Sequence, residues 1–465
     1  MRQKRWVERA LFRPVEMWVL CLVILVGLAV AVGFAWAVRH HLSGGTRLGS
    51  LGVPLVKIAS LPSYAKLAAD GVINHFFETP PELLALQQRF GADRGFKFNY
   101  PAGTRPELQY FLLNRYDAES KKSVSELWDL NLQEKVWTWS FSGVDRLWSR
   151  SSLKSMVNFA VDASERRFRN GHAFLDRDAA LSAHGFFTPL IRVDACSNLK
   201  LIRQDAVYHH SIERGLNGGY WVASLVEPSS VDLGDEGFIE DELSLISSDG
   251  KVIFQKSLPD ILIENSLETL LYGWGMKSDN DPTHLNDIQP VYEDGRYWKT
   301  GDVFLSLRNR SLVLLYRPST NKILWFRQGP WIHQHDVNVL NDHQISVFSN
   351  NAYHKKSGGN AVHGANEVMI FDFNTNQVSS PWSVGSAKLD LRTIAEGRGQ
   401  VVGDEIWVEE TQYGRAIQFD ASGKVAWQFI NRAPDGQVYV LNWSRIVPRA
   451  LGDQVRKVVS EVKCD

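Results

Sequence analysis

Cysteine is nearly absent from this chain of 465 residues, with three in all: Cys21, Cys196 and Cys464. A dense disulfide framework is thereby excluded, and a chain of this size builds its core by burial instead. Cys21 lies in an apolar run, which leaves Cys196 and Cys464 either bonded to each other in an oxidising compartment or both free. Net charge is lacking too, since 51 lysines and arginines face 52 acidic residues. No excess of one sign invites nucleic acid or an acidic polymer, so partners must be argued from sites. Histidine is missing from the last part of the chain, none following His363.

Long apolar runs are lacking with one exception. Met17 to Val38 carries no charged side chain, enough to cross a hydrocarbon core of roughly 30 Å at about 1.5 Å per residue. Trp18 and Trp36 stand near its ends, and Arg2, Lys4, Arg5, Arg9 and Arg13 precede it. This predicts a single-pass anchor in the inner membrane, with the basic tail 1–16 cytoplasmic and everything after Arg39 on the periplasmic side. A cleaved signal peptide fits less well: the run exceeds the usual apolar stretch of roughly 7–15 residues, and no small-x-small site closely follows it.

What the chain does have is a repeat. A turn rich in Asp, Asn and Gly, followed by a strand of alternating apolar residues, occurs as LNLQEKVWTW (130–139), DACSNLKLIR (194–203), SSDGKVIFQK (247–256), PSTNKILWFR (318–327), NTNQVSSPWS (374–383) and DASGKVAWQF (420–429). Such turns tolerate left-handed backbone, and the strands pack on a neighbouring sheet. Steps of 64, 52, 71, 55 and 47 residues separate the units. Those lengths fit four-stranded units with variable loops, and radial repetition disposes of open sheet edges. The fold class predicted is all-β, a six-bladed β-propeller over 104–451, preceded by the one membrane helix and by a linker over 39–103. PPELLALQQRFG (80–91) in that linker looks helical, as does part of an insertion from Leu147 to Arg169. YVLNWSRIVPRAL (439–451) is expected to complete the first blade and close the ring, leaving 452–465 as a tail. The sixteen tryptophans, several ending the repeat (Trp137, Trp325, Trp427), are assigned to packing between blades.

Histidine-headed runs precede the repeated hairpins and are predicted to be inner strands lining a central channel. In WIHQHDVNVL, His333 and His335 are two residues apart, which on a strand places them on one face. PTHLNDIQPV carries His284 and Asn286, and YHHSIERGLN carries His209 and His210. Aligning Asp336-Val337 with Asp287-Ile288 and Ser211-Ile212 puts His335, Asn286 and His210 in one register, and His333, His284 and Tyr208 in another. Arg398, Asn442 and Arg445 head other inner strands, and Arg308, Asn309, Asn350, Asn351 and His354 could reach the same cavity. Imidazole near neutral pH serves as nucleophile, base or acid, and arginine or asparagine holds an oxyanion. The set suits a small anionic group handled in a polar cavity. His40, His41, His75, His172 and His184 show no shared register and are taken as structural.

DPTHLNDI, GDVFLSLRN, the QHD of WIHQHDVNVL, the run ending FSNN, and YGRAIQFDASGKVAW together resemble the bacterial arylsulfotransferase family in its broad sense, over roughly Tyr208 to Val447. The resemblance implies a secreted six-bladed propeller that transfers a sulfuryl group from a sulfate ester donor to a phenolic or glycan-linked acceptor, without a cofactor. It implies that His284 and His335 contact the sulfate ester, with Asn286 beside them and Arg308 near the mouth. Well-studied members form a sulfurylated histidine late in the chain, where this one has Arg398 in IAEGRGQVV. They also carry an arginine where this chain has Asn350 to Lys356. His335, His284 and His333 are the catalytic candidates, with His335 as nucleophile or base. Asn286, Arg308, Asn350, His354, His210, Arg398 and Arg445 are the substrate-binding candidates. Two other functions fit the same residues. One is a non-catalytic binding or assembly module; the other is a hydrolase in which His284, His333 and His335 hold a metal with an open water position.

Overall fold

The computed structural model describes residues 16–42, 45, 47–62, 83–144, 168–216, 218–227, 229–231, 238–272, 280–355 and 359–464. They fall into two compact units, Met1–Glu78 and Thr79–Asp465. In the first, a helix spans Met17–Leu42. Within Met17–His41 an 18-residue stretch reaches a mean hydropathy of 2.8, and this is the one helix among the described residues long and apolar enough to cross a membrane. The helix outlasts the apolar run because Arg39, His40 and His41 sit in its last turn, where positive charge complements the helix dipole.

The second unit is an all-β, propeller-like arrangement of antiparallel sheets. One sheet orders Arg445–Val447, Tyr110–Asp117, Lys122–Asp129 and Glu134–Ser140. A second has seven strands running from Gly171–Leu175 to Val252–Ser257, with the 16-residue strand Leu199–Arg214 in the middle. Two four-stranded sheets follow, opening on Leu285–Pro290 and His335–Val339. The last opens on Arg398–Val402 and has Gly95–Phe98 as a fifth strand outside Val425–Ile430.

Burial explains why the repeated hairpins stand out in the sequence. The outer strand Lys322–Gln328 alternates exposed and half-buried residues, whereas every residue of the inner strand Leu285–Pro290 is buried. Only the outer strands therefore carry the period-two signature. Apolar clusters fill the space between adjacent sheets. Trp407, Trp427, Phe111 and Leu441 join the last sheet to the first, and Trp298, Trp331, Phe304 and Val347 join the two middle ones.

Three expectations for the flanks need correcting. Residues 84–91 are not helical, and 80–82 lie outside the described residues: Ala85 N–H donates to the Val438 carbonyl (2.8 Å) and Leu83 accepts from Val440 (2.9 Å). Leu83 packs on Tyr116, Tyr439 and Val440, and this pairing overrides the local helical propensity. Residues 95–98, placed in the linker, pair with Trp427 to Ile430. The segment 452–465, taken as a tail, belongs largely to the helix Arg449–Glu461, which buries Gly452, Val455 and Val459. A Cβ on Gly452 would overlap the Tyr110 ring, so the close approach requires glycine. Of the Leu147–Arg169 insertion, residues up to 167 lie outside the described residues.

Cys196 and Cys464 are bonded, with Cα atoms 5.4 Å apart and 268 residues between them in sequence. The bond ties the end of the C-terminal helix to the turn before Leu199–Arg214. Removing a native disulfide costs about 2–5 kcal/mol, so Cys464→Ser should lower the melting temperature by roughly 5 °C. Calorimetry of the variant beside the wild type checks this, and equal melting points would mean that helix packing alone secures the segment.

Candidate functional site

The inner strands share an unusual backbone feature. His172, His210, His284, His333, Glu396 and Trp443 all have positive φ, between 48° and 61°. Each stands at or near the head of a different inner strand. Left-handed backbone costs a non-glycine residue about 1–2 kcal/mol, and such strain gathers where side chains must be aimed. The aim is inward. The Trp443 ring centroid lies 3.3 Å from that of His172, 5.5 Å from His335 and 6.4 Å from His210, and His210 is 4.8 Å from His284. Rings from strands far apart in sequence thus meet around one tryptophan.

His335 is fully buried. Its Nδ1 lies 2.6 Å from Asn350 Oδ1. The Asn350 amide has only one sensible orientation, because its Nδ2 donates to the carbonyls of Glu396 (2.7 Å) and Thr393 (3.3 Å). His335 must therefore carry its proton on Nδ1, which leaves a lone pair on Nε2. That nitrogen is buried and has no hydrogen-bond partner. Burial, then the charge of Arg308, pushes His335 well below the usual histidine range, with Asn350 opposing. The ring is neutral at neutral pH. His284 is held differently, its Nδ1 bonded to the Asp281 carboxylate.

Other candidates fall around these two. His333 is half-buried and shifted down by burial, then by Arg308 and His284. Arg308 acts electrostatically on His210, His333 and His335 alike. Asn286 is buried and donates from Nδ2 to the Gln334 carbonyl (2.7 Å), while its Oδ1 has no hydrogen-bond partner. Arg398 and Arg445 lie in the wall, where carboxylates match their charge. Arg398 Nε donates to Asp336 Oδ1 (2.8 Å), and Arg398 and Arg445 each reach Glu213 at 3.3 Å. His354 is exposed on the hairpin Ala352–His354 and Asn360–Val362, its Nδ1 3.0 Å from Asn360 Oδ1.

The wall is stitched by side chains that reach backbone amides of the next strand. Asp241 accepts from Leu285 N (2.7 Å), Ser211 from Ile288 N (2.9 Å), Asp287 from Val337 N (2.7 Å) and Asp336 from Gly399 N (3.0 Å). Glu409 accepts from both Trp443 N and Ser444 N at 2.8 Å. Ser211, Asp287 and Asp336 thus play one part, so the register drawn through them is a real one. By backbone conformation, however, His210 corresponds to His284 and His333, because the bulge in its strand runs from His209 to Ile212.

Trp443, His172 and His184 were passed over in the sequence. With Arg169, Phe186, His210, Glu396 and Asn442 they line a cavity of about 20 Å³ beside the rings, room for a water. Two larger cavities of about 280 Å³ lie elsewhere, one by Trp128 and Arg432, the other by Trp298 and Tyr292. The findable signal was NGHAFL, which precedes the 194–203 hairpin as the other histidine runs precede theirs. Metal binding by His284, His333 and His335 is not supported: among the described residues no three His, Cys, Asp or Glu side chains are placed to hold a metal ion.

A propeller-like, all-β body with imidazoles held at Nδ1 near the heads of its inner strands defines the class of protein. Residues 191–432, just over half the chain, match the family model described as Arylsulfotransferase (ASST). The chain belongs to the arylsulfotransferase family. No curated protein matches it. Among solved structures it is similar to the Dos1 propeller, at 12% identity and a TM-score of 0.36 over 75% of this chain and 80% of that one. Virginiamycin B lyase from Staphylococcus aureus (9%, TM-score 0.35, 73% and 90%) and TolB from Acinetobacter baumannii (11%, TM-score 0.39, 72% and 64%) are similar to the same degree.

Burial pushes His184 down to about 4. Its unfolded value is near 6.5, so the unfolded chain takes up the proton first and stability falls as the pH drops from about 6.5 through 4. Asp241 and Asp287, lifted to about 8 mainly by burial, have the opposite slope. His184→Gln should flatten the acid loss of melting temperature between pH 7 and 5. Scans at both pH values check this, and an unchanged acid slope would place the sensitivity in other groups.

Proposed function

We propose that this chain is a membrane-anchored, six-bladed sulfuryltransferase that uses His335 as its nucleophile. Family membership supports sulfuryl transfer from an aryl sulfate, and the observation that carries the assignment is the buried, unpartnered Nε2 lone pair of His335, fixed by Asn350. Six blades follow if the seven-stranded sheet is two blades sharing one long strand. Leu199–Arg214 pairs through Leu199 to Arg203 with the strand before it and through Val207 to Arg214 with the strand after it. The pairing of Leu112 with Arg445 closes the ring over about 104–451. Basic residues before the helix favour a cytoplasmic N-terminus in the inner membrane, and the Cys196–Cys464 bond suits an oxidising compartment such as the periplasm.

The chemistry then divides between two differently held imidazoles. An amide behind His335 keeps it neutral, and its Nε2 attacks the sulfur of the donor ester as the S–O bond breaks. The carboxylate of Asp281 behind His284 favours the imidazolium form, which sets a positive charge beside the departing phenolate oxygen. Arg308, with His333, offers positive charge and donors to the sulfuryl oxygens, the role assigned to fixed donors in oxyanion sites. In the second half-reaction a phenolic or glycan-linked acceptor takes the sulfuryl group from His335. Asn286 has one amide hydrogen committed to Gln334 and offers the other.

One observation favours a binding module instead, namely the small cavity beside Trp443. The two readings separate by assay. With full-length protein, a chromogenic aryl sulfate and a phenol, acceptor-dependent release of the chromophore is expected, and His335→Ala should reduce it roughly a thousandfold or more. Mass analysis after donor alone should find the sulfuryl group on a peptide containing His335. Release that persists in His335→Ala, or a sulfuryl group on another residue, would remove His335 from this role.

A further inference from the structure

The imidazoles at the cavity are each held from behind at Nδ1 by a different group. For His335 it is an amide, for His284 a carboxylate, and for His210 a second histidine. Consecutive side chains of a regular strand point to opposite faces, so His209 and His210 should not meet. The ladder between Leu199–Arg214 and Tyr220–Leu225 shifts register between His209 and Ile212, and His210 has a φ of 57°. That bulge turns the two rings together, with their Nδ1 atoms 2.7 Å apart. The other end of His209, Nε2, lies 3.4 Å from Asp241 Oδ1 and 3.4 Å from the Ser224 carbonyl. His209 and Asp241 are 2% and 1% exposed. Thr283 Oγ1 and Leu285 N both bond Asp241 Oδ2 at 2.7 Å, so Oδ1 is the oxygen left for His209.

Only one proton fits between the two Nδ1 atoms, and the line therefore has two settings. With Asp241 ionised, His209 donates from Nε2 and accepts at Nδ1 from His210, whose Nε2 then holds a lone pair. With Asp241 protonated and donating across the 3.4 Å gap to His209 Nε2, which then gives up its hydrogen bond to the Ser224 carbonyl, the His209–His210 hydrogen bond reverses and His210 presents an N–H at Nε2. Shifting a proton along the line converts His210 from a base to an acid at the cavity.

We propose that Asp241, His209 and His210 form a proton relay that accepts the acceptor's hydroxyl proton at His210 Nε2, stores it on Asp241, and returns it to the phenolate of the next donor. The proposal rests on the sulfuryl-transfer reading. During transfer to the acceptor, its oxygen bonds to sulfur while the S–Nε2 bond of His335 breaks and the electron pair returns to Nε2. The hydroxyl proton goes to His210 Nε2, the His210 Nδ1 proton to His209 Nδ1, and the His209 Nε2 proton to Asp241. With the next donor the S–O bond breaks, Nε2 of His335 bonds to sulfur, and the phenolate takes its proton from His210 Nε2. Asp241 is then ionised again, and the cycle balances without a proton from water.

The electrostatics suit these parts. Burial, then Asp281, lifts Asp241 to about 8, against the Leu285 amide, the Thr283 hydroxyl and Arg308, so it changes state close to neutral pH. His209 is pushed to about 3 by burial, then by His284 and His184, with Asp281 and Ser224 opposing. It hands protons on and does not keep them. His210 faces His284, His209, His335 and Arg308 and is also shifted well down, chiefly by burial. His210 is thus a catalytic residue, and His209 and Asp241 are positioning residues.

The test uses the full-length protein and phenols of graded acidity as acceptors, with histidine ¹⁵N NMR as a second readout. Asp241→Asn sets an amide N–H against His209 Nε2 and freezes the line in its acid setting, so above about pH 8, where wild-type Asp241 is ionised, the protonated nitrogen of His210 should change from Nδ1 to Nε2. Transfer to a weakly acidic phenol should fall about a hundredfold in Asp241→Asn and His209→Gln, the usual worth of a general base. With a phenol already ionised in solution the loss should shrink severalfold. A loss equal for all acceptors, or a His210 tautomer untouched by Asp241→Asn, overturns the relay. Wild-type protein that sulfurylates no phenol, while Asp241→Asn still switches His210, would sink the sulfuryl-transfer reading and leave the relay standing for another acceptor.

Discussion

Hydrogen bonds from side chains of one inner strand to backbone amides of the next are the interaction on which the rest of this molecule depends. A β-ladder ties strands within a sheet and does nothing to join one sheet to its neighbour. Here Asp241, Ser211, Asp287, Asp336 and Glu409 make that join from within, each gripping a neighbouring strand near its head. Bonds of this kind contribute about 0.5–1.5 kcal/mol each between neutral groups and about 1.5–3 kcal/mol to an ionised one. They require bulges and left-handed residues at the strand heads, and those same distortions turn His210, His284, His333 and Trp443 toward one another. The joint and the site are one construction.

This sharing sets the electrostatic character of the interior. Carboxylates buried for structural reasons lie beside imidazoles, and their charges are met by Arg398 and Arg445 in one place and relieved by raised proton affinity in another. In so dry a setting His172, His209, His210 and His335 stay neutral and behave as lone-pair donors and acceptors, while the Asp281 carboxylate sets His284 apart. What distinguishes one histidine from the next is the group behind its Nδ1. Asn350, Asp281 and His209 are accordingly as informative about the chemistry as the rings they hold.

Much of the outer architecture was legible in the chain, because outer strands alternate between solvent and core and end in recognisable turns. His284, His335 and Asn286 stood out for a related reason, since H-x-N and Q-H-D head the runs that precede two of those hairpins. The rest was hidden by physics of another kind. Leu84 to Phe90 has the composition of a helix, but Leu83 and Leu84 pack by Tyr116 and Tyr439, and Ala85 and Phe90 by Ile430 and Val438, along an irregular path. Trp443 looked like one more packing residue among sixteen, and only the positive φ of its backbone turns it into the cavity. His172 and His184 share no pattern with the other histidines until the strands are placed side by side. Arg398 and Arg445 looked like free cations for an anion, and a sequence does not display the burial of Glu213 between them.

The strand Arg445–Val447 pairs with Tyr110–Asp117 and lies two residues beyond Trp443. The ring around which the histidines gather is thus delivered by nearly the last segment of the body to be synthesised. Until it arrives, the first sheet lacks its innermost strand and the imidazoles have no common neighbour. A chain cut before this strand could carry every histidine of the cluster and still lack the ring around which they gather. Competence at this site therefore depends on the Arg445–Val447 strand, and the Cys196–Cys464 bond fastens the helix that follows it.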